Sequence, residues 1–350
     1  MMTSLPIPVF DGHNDTLLRL ELDAGSDQER SFFERAVHGH IDYPRARAGN
    51  FAGGFFAMFV PSKIARMKEY VAGDPANHAP ITQNFALDMT RRLMAQAYAL
   101  EAERPSVMTI CRTSADLRAA METNRIAMLL HIEGAEAIDP EFTVLEDLYD
   151  KGLRSIGLVW SRANIFGEGA PMRCPSSPDT GAGLTDAGKE LVRACNKLGV
   201  LVDVSHLTEK GFWDVAKVST KPLIATHSNA HAVCPSARNL TDRQLDAIAE
   251  SGGVVGLNFH VAFLREDGRF NADTPLETMV RHIDHLVDRL GPEGVAIGSD
   301  FDGCMVPKPI GDVSGLPKLF EALREAGYGE ELLHKIGSRN WLSVIERSGL

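Results

Sequence analysis

No stretch of the chain approaches the roughly 18 uninterrupted apolar residues that a membrane-spanning helix needs, so a soluble protein is expected. The amino-terminal segment MMTSLPIPVFDGH has no basic leader and no apolar core ahead of its prolines. Neither a signal peptide nor an anchor is expected there. Cysteine is scarce: five residues, at positions 111, 174, 195, 234 and 304, odd in number and without a CxxC pair. That pattern argues against a disulfide framework and a structural zinc knot, and it points to a cytoplasmic protein. Positive charge is in deficit, with 36 Lys and Arg against 47 Asp and Glu and a net charge of −11. Such a surface attracts neither a phosphate backbone nor an anionic bilayer, so no nucleic-acid or membrane partner is expected. The GxGxxG phosphate turn is missing after the first apolar run, which removes the main signature of a dinucleotide-binding open sheet. No internal repeat or low-complexity tract is present.

What remains is an ordinary globular composition of 350 residues, 44% hydrophobic and 24% charged, enough for a sizeable core. Short β-branched runs predict strands over 7–13, 54–60, 126–132, 155–160, 200–205, 223–226, 254–259 and 295–298. Helical segments with recognisable ends lie between them. One over 184–198 opens at Thr185 and stops at Gly199. A second opens on a capping box of Thr241 and Gln244 and stops at Gly252, and a third covers 279–290 before Gly291. Eight strands, each followed by a crossover, predict a single (β/α)8 barrel over residues 1–350, of the α/β class. Two connections are long, 61–105 and 163–184. The second is rich in Gly, Pro and Ser and reads as a loop over the site.

The polar residues gather where the strands run out. Asp11, His13 and Asp15 close the first strand; His131 and Glu133 close the third; Asp203 and His206, the fifth; His227, the sixth; Asp300 and Asp302, the eighth. In a barrel these positions share the C-terminal face on which such enzymes build their sites. Residues two apart on an extended chain point the same way, so His13 and Asp15 can reach one ion together. Imidazole and carboxylate without thiolate suit Zn2+ or a similar divalent ion held for catalysis. Three His and at least two carboxylates exceed the needs of one catalytic zinc, and two ions sharing a bridging carboxylate match the number better. Hydrolysis is the reaction such a pair implies.

On these residues the chain resembles the renal (membrane) dipeptidase family, the M19 metallopeptidases, which are barrel enzymes related to the amidohydrolases. The likeness runs from DGHND through YPRARAGNFAGGFFAMFVPS, IEGAE, DVSH, THSN and ARN to GSDFDG and SRNWLSVIE. The HxD form at His13 and Asp15, where most amidohydrolases carry HxH, makes it specific. The resemblance implies a zinc dipeptidase with two Zn2+ per chain. His13 and Asp15 hold the first ion, Glu133 bridges, and His206 and His227 complete the second. It also implies that Asp300 handles the proton of a metal-bridging water and that Arg238 grips the carboxylate of the dipeptide. L,D-dipeptides are candidate substrates, and a homodimer is the assembly the family suggests.

One position departs from the pattern. The animal enzymes carry a histidine after the fourth strand that helps hold the substrate oxyanion. Ser161 stands there in this chain, followed by Arg162, and both are expected to face the substrate. The lipid-anchor tail of the animal enzymes is not expected either, since no hydrophobic extension precedes Leu350.

Other polar residues take plainer readings. Asp11 is a supporting or structural residue at the barrel mouth, and His131 belongs to the core or supports the site. Asp203 should alternate away from His206 and meet a helix. His231 and His260 lie near strand ends, either in the pocket or on surface loops. Asp302 fixes the loop that presents Asp300, and nothing in sequence activates Cys304. The glycines at 53–54 and 252–253 read as backbone bends. The rival reading keeps the metals and changes the bond: an amidohydrolase acting on N-acyl amino acids, cyclic amides, lactones or β-lactams. A barrel without turnover that binds a small ligand is the non-enzymatic alternative.

Overall fold

The apolar runs become strands, and all of them run parallel. The computed structural model describes residues 6–62 and 75–350. Strands β1 (Val9–Asn14), β2 (Phe51–Phe59), β4 (Ile126–Glu133), β5 (Leu153–Gly157), β6 (Leu201–Asp203), β7 (Ile224–Ala225), β8 (Val254–Leu257) and β9 (Val295–Ile297) form the eight-stranded barrel. It closes through β1 against β9 and through a long β2–β4 ladder from Gly53 opposite Ala127 to Phe59 opposite Glu133. This is the (β/α)8 architecture expected.

A ninth strand, β3 (Met108–Ile110), was not expected. It pairs with the first residues of β4, and β5 takes over the same edge from Leu130 upward. The 61–105 connection lies outside the described residues over 63–74, and its later part is the 21-residue helix α3 (Gln83–Glu103). Gly53 and Gly54 are not a bend but lie inside β2. A Cβ on Gly53 would stand 2.3 Å from the Ala127 carbonyl, so the close β2–β4 approach needs glycine.

The helices begin where capping chemistry allows. Helix α6 (Asp186–Leu198) starts with Thr185 accepting from the Gly188 N–H and ends at Gly199 in the left-handed region. Helix α8 (Asp242–Glu250) has the Gln244 side chain accepting from the Thr241 N–H at 2.9 Å. Helix α10 (Leu276–Leu290) starts three residues earlier than the periodicity suggested, because Pro275 fixes the entry.

Inside the barrel floor Phe10, Phe55, Leu129, Leu201, Ile224 and Val254 pack around Trp341, whose indole N–H donates to the Ile297 carbonyl at 2.8 Å. That layer closes the barrel from below, so the polar strand ends above it form a one-sided basin. Among the described residues no helix is long and apolar enough to cross a membrane.

Candidate metal and catalytic centre

His13, Asp15, Glu133, His206 and His227 converge above the apolar floor, each buried. The Nε2 atom of His13 lies 3.5 Å from Asp15 Oδ2 and 3.7 Å from Glu133 Oε2. Glu133 Oε1 lies 2.9 Å from His206 Nε2 and 3.3 Å from His227 Nε2. Ligand atoms of His13, Glu133 and His227 fall within 4.8 Å of one another, and so do those of His13, Asp15 and Asp300. One carboxylate thus stands between two groups of donors.

Two of these residues sit in unusual backbone. His206 (φ 66°) and Asp300 (φ 59°) adopt the left-handed conformation, uncommon for residues with a Cβ and concentrated at functional sites. The turn at His206 also overturns the expectation for Asp203. Alternation fails across a left-handed residue, and Asp203 accepts from Thr226 Oγ1 (2.6 Å) and from the Thr226 and Ser205 N–H groups (2.9 Å each) instead of meeting a helix. Its carboxylate lies 3.7 Å from His131 Nε2, while His131 Nδ1 bonds Ser155 Oγ at 2.9 Å.

The far sides of the His206 and His227 imidazoles each meet a hydroxyl. Thr226 Oγ1 lies 2.8 Å from His227 Nδ1 and has already donated its proton to Asp203, so Nδ1 carries the hydrogen and Nε2 the lone pair. Ser161 Oγ lies 2.9 Å from His206 Nδ1. Ser161 therefore backs a candidate ligand instead of facing substrate as expected. Arg162 also differs from expectation: its guanidinium pairs with Glu136 (2.6 Å), donates to the Val60 carbonyl (2.7 Å) and reaches Ser62 Oγ (3.1 Å).

The charge balance is lopsided. Burial disfavours a cation on His13, but the carboxylates of Glu133, Asp15 and Asp300 outweigh it and raise its pKa to about 10. Burial pushes Glu133 up to about 8 and also raises Asp15. His206 and His227 are held well below the usual histidine range, by burial first and neighbouring cationic groups second. Concentrated buried carboxylate beside neutral imidazoles is a donor set that calls for a cation.

Around this cluster stand groups that face its mouth. Asp300 accepts from Asn258 Nδ2 at 3.0 Å, a partner that sequence reasoning missed although Asn258 follows directly on β8. Gly303 backs both acids, for a Cβ there would meet Asp15 at 2.1 Å and Asp300 at 2.5 Å. Arg238 is buried, donates to the His227 carbonyl at 3.3 Å and lies 5.4 Å over the Phe263 ring, with Nε unpartnered. Asp11 joins β1 to the end of β9 through the Ser299 N–H (2.6 Å) and hydroxyl (2.7 Å). Asp302 accepts from the His40 N–H at 2.5 Å, anchoring the loop that carries Asp300. His260 lies between Phe263 and Phe270, whereas His231 bonds the Ser176 carbonyl at 3.0 Å and holds the 163–184 loop. Burial, then Asp300 and Asp15, push the Cys304 thiol up, away from the thiolate.

Residues 4–348 match the family model for membrane dipeptidases, peptidase family M19. The chain belongs to this family. It is accordingly an enzyme of the metallo-dipeptidase class. It is 47% identical to a metallopeptidase of Rhodobacter sphaeroides solved with a phosphinate mimic of L-Ala-D-Ala, covering 98% of this chain and 100% of that one at a TM-score of 0.92. An uncharacterised protein of the pqqA 5′ region of Klebsiella pneumoniae is 50% identical, over 74% of this chain and 96% of that protein. An uncharacterised dipeptidase of Schizosaccharomyces pombe is 31% identical, over 96% of this chain and 80% of its own length. The barrel is therefore that of an M19 metallopeptidase.

Proposed function

We propose that this M19 enzyme is a zinc-dependent dipeptidase with two ions per chain, and that its substrates include L,D-dipeptides. The observation that carries the reading is Glu133, whose two oxygens face separate donor groups: His13 on one side, His206 and His227 on the other. The donor set fits a metal. His13 has both ring nitrogens buried and unpartnered, and Asp15 Oδ1 is likewise unpartnered. In the proposal His13 and Asp15 hold one ion, His206 and His227 the other, and Glu133 both. When bound, divalent ions supply Lewis acidity and make hydroxide available near neutral pH.

The chain's own groups do the rest. Arg238, buried with a free Nε, receives the dipeptide carboxylate and so sets the position of the scissile amide. Asp300 takes a proton at a carboxylate oxygen and returns it to the departing amine, with Asn258 fixing which oxygen is free. The inclusion of L,D-dipeptides draws on the phosphinate mimic of L-Ala-D-Ala bound by the Rhodobacter sphaeroides relative. A cytoplasmic homodimer completes the reading. Elemental analysis joined to a panel of L,L- and L,D-dipeptides, N-acyl amino acids and dipeptide amides tests it. Two ions per chain and turnover of free dipeptides are expected; turnover of N-acyl amino acids alone replaces it with the amidohydrolase reading.

A further inference from the structure

Arg162, itself buried, and its partners form a frame around the main chain of one half-buried residue, His78. Buried ion pairs contribute little net stability, so the Arg162–Glu136 pair is better understood as a positioning device. Its third contact, Ser62 Oγ, lies 2.8 Å from the Asn77 carbonyl and 2.7 Å from the Ala79 carbonyl. These two carbonyls flank His78. The ring is held twice more: it stacks on Trp160 at 5.0 Å and 13°, and Nδ1 lies 2.7 Å from the Ser161 carbonyl. A carbonyl only accepts, so Nδ1 carries a proton. Among the described residues none bonds Nε2.

The frame delivers this imidazole to the rim of the metal centre. Trp160, on which it stacks, has its ring 6.0 Å from that of His206. His78 thus approaches from the ends of β5 and β6, whereas Arg238 approaches from the ends of β7 and β8. Two other donors at the rim are committed, Asn258 Nδ2 to Asp300 and Arg162 to the frame itself.

We propose that His78 is a catalytic residue whose Nε2 donates a hydrogen bond to the scissile carbonyl oxygen as negative charge builds there. This rests on the dipeptidase reading above. With Nδ1–H committed to Ser161, Nε2 donates only from the imidazolium, which sets a positive charge beside the forming oxyanion.

The test compares wild type with His78→Ala and His78→Gln, all fully metal-loaded, using a dipeptide that the wild type hydrolyses and a phosphinate dipeptide mimic. A lost oxyanion donor should lower kcat about 10²–10³-fold with KM little changed. Phosphinate affinity should fall by a comparable factor, because the mimic resembles the tetrahedral state. Metal content and Tm should match wild type. Unchanged kcat, or a loss confined to KM, overturns the proposal. Loss of metal also overturns it, by making His78 a support for His206 through Ser161. Should the wild type hydrolyse no dipeptide, the dipeptidase reading fails separately; phosphinate affinity equal in wild type and variants then refutes the role of His78 as well.

Discussion

The Nε2 atoms of His206 and His227 stand 3.0 Å apart, with each Nδ1 turned to a hydroxyl, Ser161 for one and Thr226 for the other. His227 Nδ1 gives its proton to Thr226, and where His206 Nδ1 likewise gives its proton to Ser161, two lone pairs face each other in a buried site. That arrangement is unfavourable until a cation stands between them, so the hydroxyls prepare the pair for metal.

Removing either hydroxyl should therefore weaken one ion more than the other. Ser161→Ala and Thr226→Val should lower affinity at the His206–His227 position by about 10–100-fold, with the His13–Asp15 position little affected. Chelator titration with metal counting checks this, and Ser161→Thr should restore binding. Two equally tight ions in Ser161→Ala would show that the hydroxyl does not set the imidazole.

Glu133→Gln should loosen both ions, because one carboxylate serves two donor groups. The amide keeps the shape but loses the charge that Glu133 brings beside His13, 3.7 Å away. Elemental analysis after gel filtration should find well under two ions per chain. Retention of both would remove Glu133 from the bridging position.

The barrel and the polar strand ends that converge at its mouth were legible because they rest on local signals: apolar runs of strand length, each ending in a polar residue. Strand β3 escaped because three residues carry no measurable alternation. Asp203 was misplaced because alternation assumes extended backbone, and His206 turns left-handed three residues later. Ser161 and Arg162 were read as substrate-facing from their place in the pattern. Their partners, His206, Glu136, Val60 and Ser62, lie 26 to 102 positions away, and no local pattern reports such pairings.

Asp300→Asn should leave metal content near wild type and lower kcat by about 10²–10⁴-fold, the range for a general acid–base group. The outcome is informative because Asp300 also lies within 4.8 Å of the His13 and Asp15 ligand atoms. Metal loss in this variant, measured beside kcat, would assign Asp300 as a ligand and move the proton elsewhere.

Stability should fall in mild acid, and His282 should account for a separable part. Its ring is fixed as the neutral form: Nδ1 accepts from the Ala230 N–H at 3.2 Å and Nε2 donates to the Leu264 carbonyl at 2.9 Å. Burial pushes its pKa down to about 4, against the modest upward pull of that carbonyl. A folded pKa below the unfolded value means that the unfolded chain binds the extra proton between about 4 and 6.5. The stability is whole above about 6.5 and lost as pH falls toward 4, by about 2 kcal/mol at pH 5. Urea midpoints at pH 7 and pH 5 should drop further for wild type than for His282→Gln. Equal drops would show that His282 titrates normally.

Arg238 gives a reason why a dipeptide, not a longer peptide, would be the substrate. Its guanidinium is buried, its pKa is lowered to about 10 by burial despite nearby Glu133 and Asp300, and its Nε has no partner. A buried guanidinium with an open donor is costly to leave empty and rewards a carboxylate one residue beyond the scissile bond. Amides and tripeptides put a neutral group or a further residue at that point. Breaking such a charge pair costs about 2–5 kcal/mol, roughly 30- to several thousand-fold in kcat/KM. Arg238→Met should impose that loss on a free dipeptide and a much smaller one on its C-terminal amide, which the wild type should already handle poorly. Lys should rescue only in part, since a point charge cannot match the planar fork. Kinetics on the acid and amide of one dipeptide, in wild type and both variants, decide it. Equal cleavage of acid and amide by the wild type would remove the carboxylate requirement, and a bond other than that of a free dipeptide would become the better candidate.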